Sequence, residues 1–144
     1  MKQNKTYSIP RLIMIIGHHL KRRLDKKLSQ NNLTISQFRV LAYLWEHSEQ
    51  KINQKMIHDF LEIKPSSLTK LIRLLLQKDL IRKEVDPEDT RNKVIKLTES
   101  GKEIKKICLQ NIAESEDYLL KDFSLQEIDT LANLLLKIKK KIKP

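Results

Sequence analysis

Ser66, Lys70, Arg73 and Gln77 recur at spacings of three and four along one stretch of this chain, and no carboxylate falls among them. A hydroxyl, two cations and an amide on one helix face are groups that contact phosphates and base edges. Arginine or lysine reads guanine, glutamine reads adenine, and serine reads either. An ordinary amphipathic surface helix would favour acid and base mixed on that face, and a solvated charge stripe is the alternative for this helix taken alone. A second pair, Asp89 and Arg91, lies downstream within Asp86-Pro87-Glu88-Asp89-Thr90-Arg91-Asn92. There a long cationic side chain could reach a neighbouring minor groove, with Asp89 orienting its guanidinium through a charge-assisted pair.

Positioning these groups requires a helix and a hairpin. From Pro65 to Lys78, Leu68, Leu71, Ile72 and Leu75 fall at i, i+3, i+4 and i+7, which at roughly 100° per residue makes one narrow apolar face opposite the polar one. Leu80 to Val85 and Lys93 to Leu97 alternate aliphatic with basic residues and read as half-buried strands. Between them Asp86-Pro87 is a turn signal, because proline cannot donate to a partner strand. A basic helix followed at once by a hairpin with a charged tip is the order of a DNA-recognition helix and its wing.

Capping chemistry marks the other elements. Thr34 with Gln37 and Ser124 with Glu127 are capping-box patterns, and Asn53 and Thr98 are N-caps. The predicted order is a helix from about Tyr7 to Leu28, a second from about Ile35 to His47, and a third from about Gln54 to Leu61. The recognition helix and wing follow, then two long helices at about Glu99 to Leu120 and about Leu125 to Ile142. The fold class is therefore mainly α, a winged helix-turn-helix with a two-stranded β-wing and long terminal helices. Those helices carry apolar seams, Ile9, Leu12, Ile13, Ile16, Leu20, Leu24 and Leu28 in the first and Ile128, Leu131, Leu135, Ile138 and Ile142 in the last. Such seams must be buried within one subunit or against a second. A homodimer is the favoured expectation, because two recognition helices about one DNA turn apart raise affinity and specificity.

Composition narrows the partners. Lys+Arg 29 against Asp+Glu 18 gives a formal charge of +11, which asks for a polyanion. Double-stranded DNA and an anionic membrane both satisfy that, but the cations are spread over several segments, which disfavours a single lipid-binding cluster. The run Leu12 to Ile16 is too short to span a bilayer and has no small-residue cleavage site at a plausible distance. With one cysteine, no intrachain disulfide forms, and a reducing, cytoplasmic setting is expected. At 144 residues the chain is expected to be one domain.

Enzyme chemistry finds no support. Gly17 and Gly101 are the only glycines, too few for a phosphate-cradling loop. His18 and His19 are neighbours whose side chains diverge by about 100° on a helix and have no ligand partner at a metal-binding spacing. No catalytic residue, metal or cofactor is expected. Cys108, between Ile107 and Leu109, reads as a small buried hydrophobe rather than a redox sensor.

Several segments in series carry a resemblance: Leu33-Thr34-Ile35-Ser36-Gln37-Phe38-Arg39-Val40-Leu41, Ile52-Asn53-Gln54, Ser66-Ser67-Leu68-Thr69, Asp86-Pro87-Glu88-Asp89-Thr90-Arg91 and Leu97-Thr98-Glu99-Ser100-Gly101. In this order and spacing the chain resembles the MarR family of winged-helix transcriptional regulators. The resemblance implies a homodimer on a pseudo-palindromic operator, most often as a repressor. It places Ser66, Ser67, Thr69, Lys70 and Arg73 at recognition-helix contact positions and Asp89 and Arg91 at the wing pair. It divides the chain into a winged-helix part, about 33–97, and helical dimerisation parts, about 7–28 and 99–142. It also implies release by a small-molecule effector, for which His19, Tyr43 and Trp45 are candidate contacts; ordinary core or interface roles suit them better. Three positions depart from the family pattern: His58 stands where a small residue is usual, and Glu62 and Asp79 where glycine is usual. An architectural DNA binder with little sequence preference and a winged-helix protein-interaction module are the alternatives.

Overall fold

The computed structural model describes residues 8–143. Helix α1 (Ile9–Leu28) opens at Ser8, whose hydroxyl accepts from the Arg11 N–H, and Pro10 sits in the first turn, where a missing N–H is harmless. The helix expected from Tyr7 therefore starts at Ile9, and Tyr7 itself lies outside the described residues. After a 3-10 turn (Ser29–Asn31), α2 (Ile35–Glu46) begins with the reciprocal box of Thr34 and Gln37. His47, expected as its last residue, is its C-cap. Helices α3 (Gln54–Leu61) and α4 (Pro65–Gln77) follow, α3 capped by Asn53. Strands β1 (Ile81–Asp86) and β2 (Asp89–Leu97) pair antiparallel in a two-stranded sheet. The chain finishes with α5 (Glu99–Glu103), α6 (Lys105–Leu120) and α7 (Leu125–Ile142), where Thr98 caps α5 and the Ser124–Glu127 box caps α7.

The helix expected in one piece from Glu99 to Leu120 is interrupted at Ile104, whose ψ of −6° falls short of helical geometry. Its first turn is pinned to the body: Gly101 lies against the Leu80 carbonyl, and Trp45 Nε1 donates to Gly101 O at 2.9 Å. The remainder runs beside α1.

The hairpin also differs from expectation. The connection read as Asp86 to Asn92 contracts to Pro87-Glu88, with Asp86 opposite Asp89 and Val85 opposite Lys93. Thr90, Arg91 and Asn92 are left in an irregularity of the register. Side-chain turns stabilise this shape: Asp86 Oδ1 accepts the Glu88 N–H at 3.0 Å and Asp89 Oδ1 accepts the Arg91 N–H at 3.1 Å.

The core gathers Leu28, Val40, Leu41, Leu44, Ile57, Leu68, Ile72, Leu75 and Ile81, all essentially inaccessible to solvent. Each such side chain contributes about 1.5–3 kcal/mol by leaving water. Cys108 is equally buried, and burial pushes its thiol up, away from reactivity. Helix α4 ends in a Schellman motif, in which the Leu80 N–H reaches Leu75 O (3.1 Å) and the Asp79 N–H reaches Leu76 O (3.0 Å). Asp79 adopts φ 57° there, so the helix end forms without glycine.

The terminal seams are not resolved within one chain. Leu28 is buried and Leu12, Leu20 and Leu24 are half-buried, but Ile9, Ile13 and Ile16 are exposed. No residue of α7 is buried; Leu131 and Leu135 remain 39% and 45% exposed.

Candidate nucleic-acid interface

Helix α4 separates its two faces as its periodicity requires. Leu68, Ile72 and Leu75 are buried and Leu71 half-buried, whereas Ser66, Ser67, Thr69, Lys70, Arg73 and Gln77 are all exposed. Its N-cap, Lys64, supplies no side-chain acceptor, and its first turn contains no acid. The positive end of the helix dipole and its free N–H groups are thus left for an anion. Thr69 is held in place by its neighbours: its hydroxyl donates to Pro65 O (3.0 Å) and accepts from Gln54 Nε2 (3.0 Å).

Arg91 extends into solvent, with its side chain 94% exposed and its Nε 3.7 Å from Asp89 Oδ1. Such a loose pair orients the guanidinium without neutralising it. Arg91 lies in the irregular stretch of the wing's register. Beneath it the base of the turn is anchored. Asp86 is buried, and the Glu88 N–H and the Lys51 ammonium hold its carboxyl below the usual carboxylate range. Lys51 Nζ lies 3.1 Å from Asp86 Oδ1 and 3.0 Å from Glu88 Oε2, and the Ile95 N–H donates to Ile52 O at 2.7 Å. These ties fix the wing to the segment that leads into α3.

The candidate effector contacts do not come together as a pocket lining. Tyr43 and Trp45 are core residues, each 7% exposed; Trp45 packs edge-on to Phe38, and Tyr43 stacks on His47 at 4.2 Å between ring centroids. His19 is exposed on α1, edge-on to His18 at 5.8 Å. Lys51, Asn53 and Gln54 were not singled out as interface residues from sequence. The Asn53 cap was legible, but its second hydrogen bond and the reach of Gln54 to Thr69 depend on tertiary placement.

A family model described as "Transcriptional regulator SarA/Rot" matches residues 22–107. The multiple antibiotic resistance protein MarR of Salmonella typhimurium is 29% identical over 136 residues, spanning 94% of this chain and 93% of MarR. The HTH-type transcriptional regulator SarZ of Staphylococcus haemolyticus is 31% identical over 126 residues, 86% of this chain and 82% of SarZ. This chain belongs to the MarR family of winged-helix transcriptional regulators. In structure it is similar to MepR of S. aureus solved in complex with DNA, with a TM-score of 0.89, 29% identity, and coverage of 95% of this chain and 99% of MepR. As a MarR-family member it is a DNA-binding transcription regulator and not an enzyme. No helix among the described residues is long and apolar enough to cross a membrane.

The departures from the family pattern acquire a physical description. Glu62 takes φ 56° as the C-cap of α3, the left-handed geometry that glycine adopts most easily. Its carboxylate meets Lys143 Nζ at 2.8 Å and Lys139 Nζ at 3.5 Å, joining the helix-turn-helix to the end of α7. His58 is half-buried, its Nδ1 3.2 Å from Asp59 Oδ1.

Proposed function

We propose that this MarR-family chain is one domain, acts as a homodimer on a pseudo-palindromic operator, and represses transcription there. Each α4 lies in a major groove, with Ser66, Ser67, Thr69, Lys70, Arg73 and Gln77 toward the DNA, and each Arg91, oriented by Asp89, enters the adjacent minor groove. The observation that carries this reading is the exposed, carboxylate-free face of α4 beside a wing whose Arg91 stands clear of the body. Dimerisation is supported by the apolar surface of α1 and α7, which a lone subunit leaves in water.

Arg73→Ala is expected to weaken operator binding by about 1–3 kcal/mol and to relax base preference at one position per half-site. Arg91→Ala is expected to weaken it while leaving that preference intact, because a minor-groove arginine reads width more than base identity. Titrating both variants against single-base operator variants separates the two effects. Equal loss of preference in both would contradict the division of labour.

Release by a small molecule is also part of this reading. A cleft of about 670 Å³ between α1, α2 and α4, lined by Lys21, Arg39, Lys64, Ser67 and Lys70, has the size of a ligand pocket. A ligand seated there would cover Ser67 and Lys70, which the operator also needs, and would shift α4 relative to the dimerisation helices, a displacement that a rigid operator penalises. A compound of this kind should lower operator affinity without changing the dimer mass; dissociation into monomers would point to another mechanism.

Selection of bound duplexes from a randomised DNA pool tests the reading as a whole. An enriched inverted repeat is the expected result. Binding without enrichment would replace the regulator by an architectural DNA binder, and no binding would move the partner to protein.

A further inference from the structure

Two polar links, joined through the backbone of Asn53-Gln54, connect the wing to the recognition helix, and the first takes its direction from the wing end. Buried Asp86 can only accept. Asn92 therefore turns its amide toward it, with Nδ2 3.3 Å from Asp86 Oδ2. That leaves Asn92 Oδ1 to accept from Asn53 Nδ2 at 3.2 Å. Asn53 in turn keeps its Oδ1 for the Met56 N–H, 3.0 Å away, and so caps α3. The next residue, Gln54, donates to Thr69 on the exposed face of α4. Each bond on the wing side pairs an amide N–H with an oxygen, and Asp86 at one end and the Met56 N–H at the other fix which way Asn92 and Asn53 face.

We propose that Asn53 and Asn92 are positioning residues: they form a bridge that sets where Arg91 stands relative to α4, and so decide whether both grooves are read at once. This rests on the functional reading above. Neither residue touches the operator in this account. Asn92 belongs to the irregular stretch that carries Arg91, one residue away, and Asn53 adjoins the residue that holds Thr69. Without the bridge the hairpin keeps its own strand pairing and Lys51 ion pairs, yet the backbone that carries Arg91 is no longer tied to the α3–α4 unit through Asn53. A wing backbone that must be positioned at the moment of binding makes its arginine contribute less than one already in place.

The test is a set of double-mutant cycles on the duplex that the wild-type protein selects. Asn53→Ser keeps the N-cap, since serine caps as well as asparagine, but is too short to reach Asn92. Asn92→Ala removes the same bond from the other side, together with the bond from Asn92 to Asp86. Arg91→Ala is expected to lower affinity about tenfold in the wild-type background and about twofold or less in either bridge variant. Discrimination between A·T-rich and G·C-rich flanks under the wing should fall with it, while half-site base preference, read by α4, stays as in wild type. A merely structural role would leave flank discrimination unchanged. Thermal unfolding of Asn53→Ser should lie close to wild type, so that if Asn92→Ala fails to fold the serine variant carries the test. Full additivity of Arg91→Ala with Asn53→Ser, at unchanged flank discrimination, overturns the bridge while leaving the regulator reading intact. A wild-type protein that selects no duplex overturns both.

Discussion

Leu131→Glu combined with Leu135→Glu is expected to convert the protein to a monomer and to lower operator affinity by about a hundred- to ten-thousandfold, the range by which joining two binding sites raises avidity. The argument starts from burial. Both leucines are substantially exposed in the subunit, so carboxylates there do not disturb its core. In the proposed dimer the same positions lie in the seam of α7. Unpaired charges buried there cost several kcal/mol each, more than the leucines contribute. Each monomer retains its α4 and wing, so residual, weak half-site binding should survive. Sedimentation equilibrium and an operator titration check the two parts together. A dimer mass that persists in the double variant would show that α7 is not the dimerisation surface.

Gly101→Ala is expected to destabilise the fold by about 3 kcal/mol, because its added methyl must displace backbone rather than a flexible side chain. The new Cβ would stand 2.1 Å from Leu80 O, 3.1 Å from Leu80 C and 3.2 Å from Leu97 Cδ2. Leu80 O cannot retreat freely, since it accepts the Thr98 N–H at 3.1 Å. The Gly101 carbonyl is likewise engaged by Trp45. Alanine's helix-propensity advantage of about 1 kcal/mol works in the opposite direction and is outweighed. Since Leu80 joins α4 to β1, the strain falls where the recognition helix meets the wing. Thermal or urea unfolding measures the loss; a variant as stable as wild type would mean that α5 can shift away from Leu80 at little cost.

What was legible in the sequence follows from the range of the interactions involved. The faces of α4 depend on a 3.6-residue period and local composition, and Leu68, Ile72 and Leu75 are buried where that period puts them. Thr34, Asn53, Thr98 and Ser124 cap helices through bonds spanning only a few residues, so their roles could be read directly. The wing was located but its strand ends were misplaced, because Asp86 and Asp89 accept from the backbone two residues on and the strands extend to the two residues that flank Pro87-Glu88. The break at Ile104 was not visible, and the contacts that hold the turn before it, from Trp45 and Leu80 to Gly101, come from far away in sequence. The same holds for the interface: the cations of α4 and Arg91 could be named from residue type and spacing. Asn53, Asn92 and Gln54 gain their roles from partners about 15 to 40 positions away, where no periodicity points.

The central claim, that α4 and the wing read a specific operator, is tested most directly by competition titration of wild-type protein. The selected inverted repeat would be set against a scrambled duplex of the same composition at two salt concentrations. The expected result is an affinity ratio of about a thousandfold or more, together with a steep fall in affinity as salt rises, from the release of counterions at several phosphate contacts. A ratio near one, or an affinity indifferent to salt, would contradict it.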